Sequence, residues 1–133
     1  MEDRLRILVV DDVPDVAVTL AAVLDQNGHD VRTAFTAREA LEVADTFKPH
    51  CVLLDLTMPV TSGAQLAHWL RERFGQDLVL IGVTGNDRID VLLSDDVREL
   101  DHCLRKPVQL SALAKLLPMP RAPNQRRNRR PVH

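Results

Sequence analysis

Aromatic residues are scarce in this sequence, which has one Trp, three Phe and no Tyr among its 133 residues. A hydrophobic core must therefore be built from Leu, Val, Ile and Ala, which suits a sheet covered by helices. Apolar runs are short, and none approaches the roughly 20 residues of a membrane span. The acidic, polar start at residues 1–4 does not resemble a signal peptide. These features predict a cytoplasmic protein without membrane contact.

Cysteine is also rare, because Cys51 and Cys103 are the only two. Two cysteines do not make a disulfide framework or a metal-ligand cluster. Both fall on predicted strands that we expect to be separated by a third strand. Strands lie about 4.8 Å apart, whereas a disulfide needs Cα atoms within about 7 Å. The sequence therefore predicts two buried free thiols.

The net charge of −2 is unevenly spread along the chain. The last thirteen residues contain five Arg and no acid, so residues 1–120 hold 12 basic against 19 acidic side chains, about −7. We therefore predict an acidic folded domain over residues 1–118 and a basic, disordered tail over residues 119–133. The tail is interpreted as a solvated terminus, and contact with nucleic acid or an acidic partner is the alternative.

Short apolar segments alternate with segments of helical periodicity. The predicted strands are 5–10, 30–35, 51–55, 78–83 and 102–104, and the predicted helices begin near Pro14, Thr36, Gly63, Ile89 and Leu110. Strict alternation requires a parallel sheet with right-handed crossovers and helices on both faces. The sequence therefore predicts an α/β, doubly wound fold of five strands and five helices.

The central predicted strand is apolar on both faces, as expected for a buried parallel strand. It ends at Asp55, because Pro59 cannot donate to a strand ladder. Ligands of such folds bind at the carboxyl ends of strands. A carboxylate there is either a binding group or a simple turn cap. The residues at the ends of the other strands distinguish these two interpretations.

Several polar residues follow the other predicted strands and should meet Asp55 at one edge of the sheet: Asp11, Asp12, Thr84 and Lys106. Two carboxylates about 4 Å apart repel by about 4 kcal/mol at an effective dielectric constant of ~20. Such a cluster is stable with a divalent cation, and oxygen ligands without His or Cys favour Mg²⁺. The added hydroxyl and ammonium groups suit a phosphoryl group carried on a carboxylate.

This set of residues, together with Met58-Pro59, Gly63, Gly85 and Pro107 at their spacing, resembles the receiver domain of two-component response regulators. The similarity covers about residues 4–118. It implies a flavodoxin-like, CheY-like fold with the strand order 2-1-3-4-5.

The resemblance also implies a role for each matched residue. Asp55 is the phosphoacceptor, which takes its phosphoryl group from a sensor histidine kinase or a phosphotransfer protein. Mg²⁺ is held by Asp12, Asp55 and the carbonyl oxygen of Thr57, and Asp11 assists largely through water. Thr57 also lies beside the path of an attacking water.

Two further roles concern the phosphorylated form. Thr84 binds a phosphoryl oxygen after switching, and Lys106 pairs with the phosphoryl group. The peptide bond between Lys106 and Pro107 is expected to be cis. The sequence departs from the family at Cys103, where a large ring is common, and this predicts an altered switch. The alternative is that the fourth helix shifts without a ring.

The predicted function is a phospho-aspartate switch that is not an enzyme and acts through protein contacts on an unknown target, as a monomer or a phosphorylation-linked dimer. Nucleic acid is an unlikely partner. The alternatives are a hybrid histidine kinase receiver, a phosphate sink and a degenerate receiver working without phosphorylation. An aspartate-based phosphohydrolase would need a second acid where Thr57 stands, and flavin phosphate would be repelled by Asp11 and Asp12.

Overall fold

A computed structural model describes residues 4–58, 63–85 and 99–118. These segments contain five strands: β1 (Arg6–Val10), β2 (Asp30–Ala34), β3 (Cys51–Asp55), β4 (Val79–Thr84) and β5 (His102–Arg105). The described residues contain four α-helices, α1 (Pro14–Gln26), α2 (Ala37–Phe47), α3 (Gly63–Phe74) and α4 (Leu110–Leu116), and a 3₁₀ turn over Gly75–Asp77. The predicted helix around Ile89 lies outside the described residues, as does the predicted tail.

The strands form one parallel sheet in the order β2-β1-β3-β4-β5. This order fits the flavodoxin-like fold and confirms the predicted topology. The register aligns the carboxyl ends of the strands, since Val10 pairs with Leu54 and Asp55 pairs with Val83. Residues that follow β1, β3 and β5 are thereby brought to one edge of the sheet.

Helix boundaries follow from local sequence signals. Pro14 occupies the first turn of α1, where its missing N–H costs nothing. The hydroxyl of Thr36 accepts a hydrogen bond from the backbone N–H of Glu39 at 3.0 Å, and the Glu39 carboxylate accepts one from the backbone N–H of Phe35 at 2.9 Å. These reciprocal bonds cap α2. Gly75, with a φ of 77°, ends α3.

The core consists of two aliphatic layers, one on each face of the sheet. Alternate strand residues such as Leu8 and Leu54 pack with α2 and α3. Their neighbours Ile7 and Leu53 pack in the second cluster, which receives residues of α1 and α4. The largest fully buried side chains of the described residues are all Leu, Ile or Val, as the scarcity of aromatics predicted.

The two cysteines are free, with Cys51 buried in β3 and Cys103 partly buried in β5. Strand β4 lies between them, as expected. Burial raises the pKa of both thiols, so neither is a reactive thiolate at neutral pH. Among the described residues, no helix combines the length and hydrophobicity needed to cross a membrane.

Candidate functional site

Three carboxylates meet at the carboxyl edge of the sheet. Asp11 and Asp12 follow β1, and Asp55 is the last residue of the neighbouring strand β3. Each offers an oxygen, and these oxygens all lie within 4.8 Å of one another. Asp11 and Asp55 are buried, while Asp12 is exposed. The cluster is therefore open to solvent at Asp12.

The loop before α1 fixes the orientation of Asp11. Its backbone N–H donates to the carbonyl oxygen of Ala34 at 3.1 Å, which continues the ladder between β1 and β2. Its Oδ1 accepts a hydrogen bond from the backbone N–H of Val13 at 3.0 Å. This short turn leaves Oδ2 of Asp11 directed towards the site, where it meets a cation.

That cation is Lys106, the residue that follows β5. Its Nζ lies 3.1 Å from Oδ2 of Asp11 and 3.5 Å from Oδ2 of Asp55. Burial lowers the pKa of Lys106, but the hydrogen bond to Asp11 and the charge of Asp55 outweigh it, so the pKa is raised. The lysine therefore remains charged. The peptide bond between Lys106 and Pro107 is cis.

Asp55 is held by the residue two positions further on. Its Oδ1 accepts hydrogen bonds from the backbone N–H of Thr57 at 2.9 Å and from the Thr57 hydroxyl at 2.8 Å. Burial raises the pKa of Asp55, but these two bonds and the charge of Lys106 outweigh it and lower the pKa. By contrast, desolvation and the charge of Asp55 raise the pKa of Asp12. Asp55 is thus an ionised, buried carboxylate.

Thr84 and Cys103 lie on β4 and β5, the two strands that follow β3 in the sheet. Thr84 is the last residue of β4, is fully buried, and its carbonyl oxygen accepts the backbone N–H of Lys106 at 2.7 Å. Cys103 lies in β5, where it pairs in register with Gly82. The switch predicted for Cys103 involves residues 86–98, which lie outside the described residues, so it stays a prediction.

Two features of the site escaped the sequence reasoning. The first is the hydrogen bond from the Thr57 hydroxyl to Asp55, since Thr57 had been assigned only a carbonyl ligand and a place beside the path of an attacking water. The second is the reason why position 63 requires glycine. A Cβ atom there would lie 2.5 Å from the carbonyl oxygen of Asp55 and 2.8 Å from Cα of Leu56. Glycine lets the start of α3 approach the end of β3. The short sequence separation between Asp55 and Gly63 was the signal that could have indicated this close approach.

The donor set fits a hard divalent cation. It consists of carboxylate oxygens that converge from two strands, with no imidazole or thiolate among them. A cation there would reduce the repulsion between carboxylates that Lys106 alone only partly offsets. The geometry is thus suited to Mg²⁺ or a similar ion beside an ionised carboxylate and an ammonium group.

A family profile of the response regulator receiver domain matches residues 7–118. The chain belongs to this family. The receiver domain is 34% identical over 111 residues to the DNA-binding response regulator MtrA of Mycolicibacterium smegmatis, covering 82% of this chain and 48% of that protein. It is 36% identical over 115 residues to the sensor histidine kinase RcsC of Salmonella typhi, covering 86% of this chain and 12% of that protein.

A solved structure gives a further likeness. The response regulator TrrA of Thermotoga maritima, in complex with Mg²⁺ and BeF, superposes with a TM-score of 0.74 at 28% identity, covering 83% of this chain and 93% of that one. The acidic cluster and this neighbour agree with divalent metal binding in receiver domains.

The receiver domain spans about half the length of the response regulators that it matches first. One of these proteins carries the description DNA-binding. The expectation that nucleic acid is an unlikely partner is therefore not supported. That expectation rested on a basic tail without interleaved aromatic residues and on the lack of a recognisable DNA-binding module in the sequence.

Proposed function

We propose that this receiver domain is a phospho-aspartate switch, in which Asp55 accepts a phosphoryl group from a sensor histidine kinase or a phosphotransfer protein. One observation carries the proposal: a buried and ionised carboxylate oxygen of Asp55 faces the ammonium group of Lys106 at 3.5 Å. In the transfer, an Asp55 oxygen bonds to phosphorus, the bond between phosphorus and the donor imidazole breaks, and its electron pair returns to the imidazole.

The surrounding residues suit the charge of the product. Lys106 would pair with a phosphoryl oxygen, and the Thr84 hydroxyl would donate to another after switching. Mg²⁺, held by Asp12, Asp55 and the Thr57 carbonyl with Asp11 assisting through water, would neutralise charge on the phosphoryl oxygens. An apolar cavity of about 570 Å³ between α1 and residues 106–110 reaches Asp55 and gives room beside the acceptor.

The role that follows is that of a cytoplasmic switch rather than an enzyme with turnover. The phosphorylated domain would act through protein contacts on a downstream target, as a monomer or a phosphorylation-linked dimer. The match to MtrA supports a regulator that acts on DNA in its whole form. The match to RcsC supports a second candidate function. In it, the receiver is part of a hybrid histidine kinase or acts as a phosphate sink that accepts phosphoryl groups from such a kinase.

The test is incubation of the full chain with Mg²⁺ and acetyl phosphate, followed by intact mass spectrometry. We expect a gain of one phosphoryl group, lost in Asp55→Asn and retained in Asp25→Asn, an exposed acid on α1. Absence of any gain in the wild type would support the degenerate receiver. Continuous phosphate release over many turnovers would support an enzyme instead.

A phosphotransfer assay separates the two candidate settings. The phosphorylated chain is mixed with an isolated phosphotransfer domain that carries a histidine. Rapid loss of the phosphoryl group to that histidine would support a hybrid kinase receiver or a phosphate sink. Retention of the phosphoryl group on Asp55 would support a terminal switch.

A further inference from the structure

Two leucine side chains meet above Gly82, a residue within β4. A Cβ atom at this position would lie 2.8 Å from Cδ1 of Leu100 and 3.0 and 3.1 Å from the two Cδ atoms of Leu56. These distances are shorter than ordinary van der Waals contacts, so both leucines occupy the space that a larger residue at position 82 would fill. Their methyl groups therefore converge on one point of the sheet.

Leu56 joins this point to the proposed phosphoacceptor, because it directly follows Asp55 in the chain. Its backbone N–H donates to the carbonyl oxygen of Val83 at 2.9 Å, and the residue is only 5% exposed. Protein interiors are close-packed, so the shift of a buried side chain has to be taken up by its neighbours. A shift of the backbone after Asp55 therefore acts on the leucine that Leu56 meets above Gly82.

Leu100 joins the same point to residues 99–101, the segment that precedes β5. The backbone N–H of Asp101 donates to the carbonyl oxygen of Leu80 at 2.8 Å, and Oδ2 of Asp101 accepts the backbone N–H of Leu80 at 2.8 Å. Leu100 is partly buried and packs against the core layer that includes Leu80. In the sequence it closely follows the predicted helix that begins near Ile89. Leu100 is thus the apolar residue at which the chain enters the sheet again.

Both members of the register pair at this point are small, since Gly82 pairs with Cys103 of β5. Residues paired in register direct their side chains to the same face of a sheet. A large ring is common in receiver domains at the position of Cys103, and the thiol has far less bulk. Leucine methyl groups, rather than a ring, therefore lie over this part of β4.

We propose that Leu56 and Leu100 form an apolar link over Gly82, which carries the phosphorylation state of Asp55 to residues 99–101 in place of a ring at position 103. This inference rests on the proposed function. A phosphoryl group adds bulk and charge beside the loop that begins at Leu56. When that loop shifts, the methyl groups of Leu56 move against those of Leu100. Because Gly82 has no side chain, they can pass over the strand into other staggered rotamers without meeting a Cβ atom.

The experiment follows the leucine methyl groups of the full chain by NMR, with Mg²⁺ and with or without beryllofluoride as a phosphoryl mimic. The Leu100 signals are assigned by their loss in Leu100→Met. In the wild type, the mimic should displace them. Leu56→Ala should reduce this displacement by about twofold or more, because the methyl groups that meet Leu100 are gone. Leu56→Met retains the apolar volume and should restore most of it.

Gly82→Ala tests the same link without changing either leucine. Its methyl group would separate the two side chains, so it should also reduce the displacement of the Leu100 signals. Leu41→Ala is the matched control, because Leu41 is another partly buried leucine packed against the same core layer, but on α2. The displacement should be unchanged in this variant.

The fluorine NMR signal of bound beryllofluoride measures occupancy of the site separately in every variant. A merely structural role would shift the Leu100 signals by equal amounts with and without the mimic, and the displacement between the two states would stay the same. A reduced displacement at full occupancy, in Leu56→Ala or in Gly82→Ala, supports the link.

Two further results would overturn the inference and can be told apart. If the bound mimic leaves the Leu100 signals of the wild type in place, or displaces them equally in the wild type, Leu56→Ala and Gly82→Ala, the leucines carry no signal and the proposed function stands. If the wild type gives no signal of bound beryllofluoride, the proposed function fails and the inference falls with it.

Discussion

Arg71 on α3 should contribute far more to stability than its near neighbour Arg73. Its guanidinium donates to the carbonyl oxygens of Gly75, Leu78 and Glu99 at 2.8, 2.6 and 2.7 Å, and to Oδ2 of Asp101 at 2.9 Å. The side chain is only 10% exposed. Arg71 thus links the end of α3 to the segment before β4 and to the segment before β5 through hydrogen bonds.

The size of the effect follows from what the substitution leaves behind. Arg71→Met retains part of the aliphatic packing but removes a donor from three carbonyl oxygens and the positive charge beside Asp101, whose Oδ2 still accepts the backbone N–H of Leu80 at 2.8 Å. Breaking one partner of a buried charged pair costs about 3–5 kcal/mol, and some of these oxygens can be rehydrated near the surface. We therefore expect a loss of about 3 kcal/mol, a large share of the roughly 5–15 kcal/mol that stabilises a domain.

Arg73→Met is the matched control on the same helix. Arg73 pairs with Asp45 at 2.8 Å, but the two side chains are 48% and 50% exposed. Such surface pairs contribute about 0–1 kcal/mol. Urea denaturation at neutral pH measures both variants, and equal slopes would show that the unfolded states are comparable. Losses that differ by less than about 1 kcal/mol would refute the assignment of stability to the Arg71 network.

Three further predictions concern pH, packing and metal. His29 and His50 accept backbone N–H groups at the start of β1 through Nδ1, and burial lowers the pKa of each. Because the folded pKa of each histidine lies below the unfolded value near 6.5, the stability that these histidines contribute should be present above that pH and be lost as pH falls through the lowered values. His50→Asn keeps an acceptor for the backbone N–H, so the midpoint of urea unfolding should change less between pH 7.5 and 5 in this variant than in the wild type. Gly63→Ala should lower the free energy of unfolding in urea by about 1–3 kcal/mol or more, since its Cβ would lie 2.5 and 2.8 Å from backbone atoms. Gly85→Ala should leave the free energy of unfolding nearly unchanged, since its Cβ would lie 3.8 Å from the nearest side chain. Asp12→Asn should weaken Mg²⁺ binding about tenfold or more by calorimetric titration, and unchanged affinity would remove Asp12 from the ligand set.

The sequence was sufficient to predict the sheet because its signals are local and repeated. The apolar run of β3 and the alternation of strands and helices predict a parallel sheet covered by helices. The strand order was implied by the resemblance to receiver domains, and the structure confirms it. The site followed from the same reasoning, since a residue at the end of a parallel strand must lie at a known edge. Asp55 could thus be placed near Asp11 without any distance being known.

Side-chain networks across long separations could not be predicted in the same way. An arginine near the end of a helix, such as Arg71, is usually solvated, and nothing local shows that Asp101, thirty residues away, will meet it. The Thr57 hydroxyl was missed for a different reason. Its choice between solvent and Asp55 depends on a χ1 angle that the sequence does not specify.

The position of Lys106 shows how the site is tied to the whole sheet. Lys106 follows the edge strand β5, while Asp55 ends β3, two strands away at about 4.8 Å per strand. The lysine stem therefore has to cross the end of β4 next to Gly85. A Cβ atom at position 85 would lie 3.8 Å from Cδ of Lys106, which is an ordinary van der Waals distance. Its backbone N–H meanwhile remains bonded to the Thr84 carbonyl. A change of charge on Asp55 thus acts directly on a residue anchored in the sheet ladder at β5.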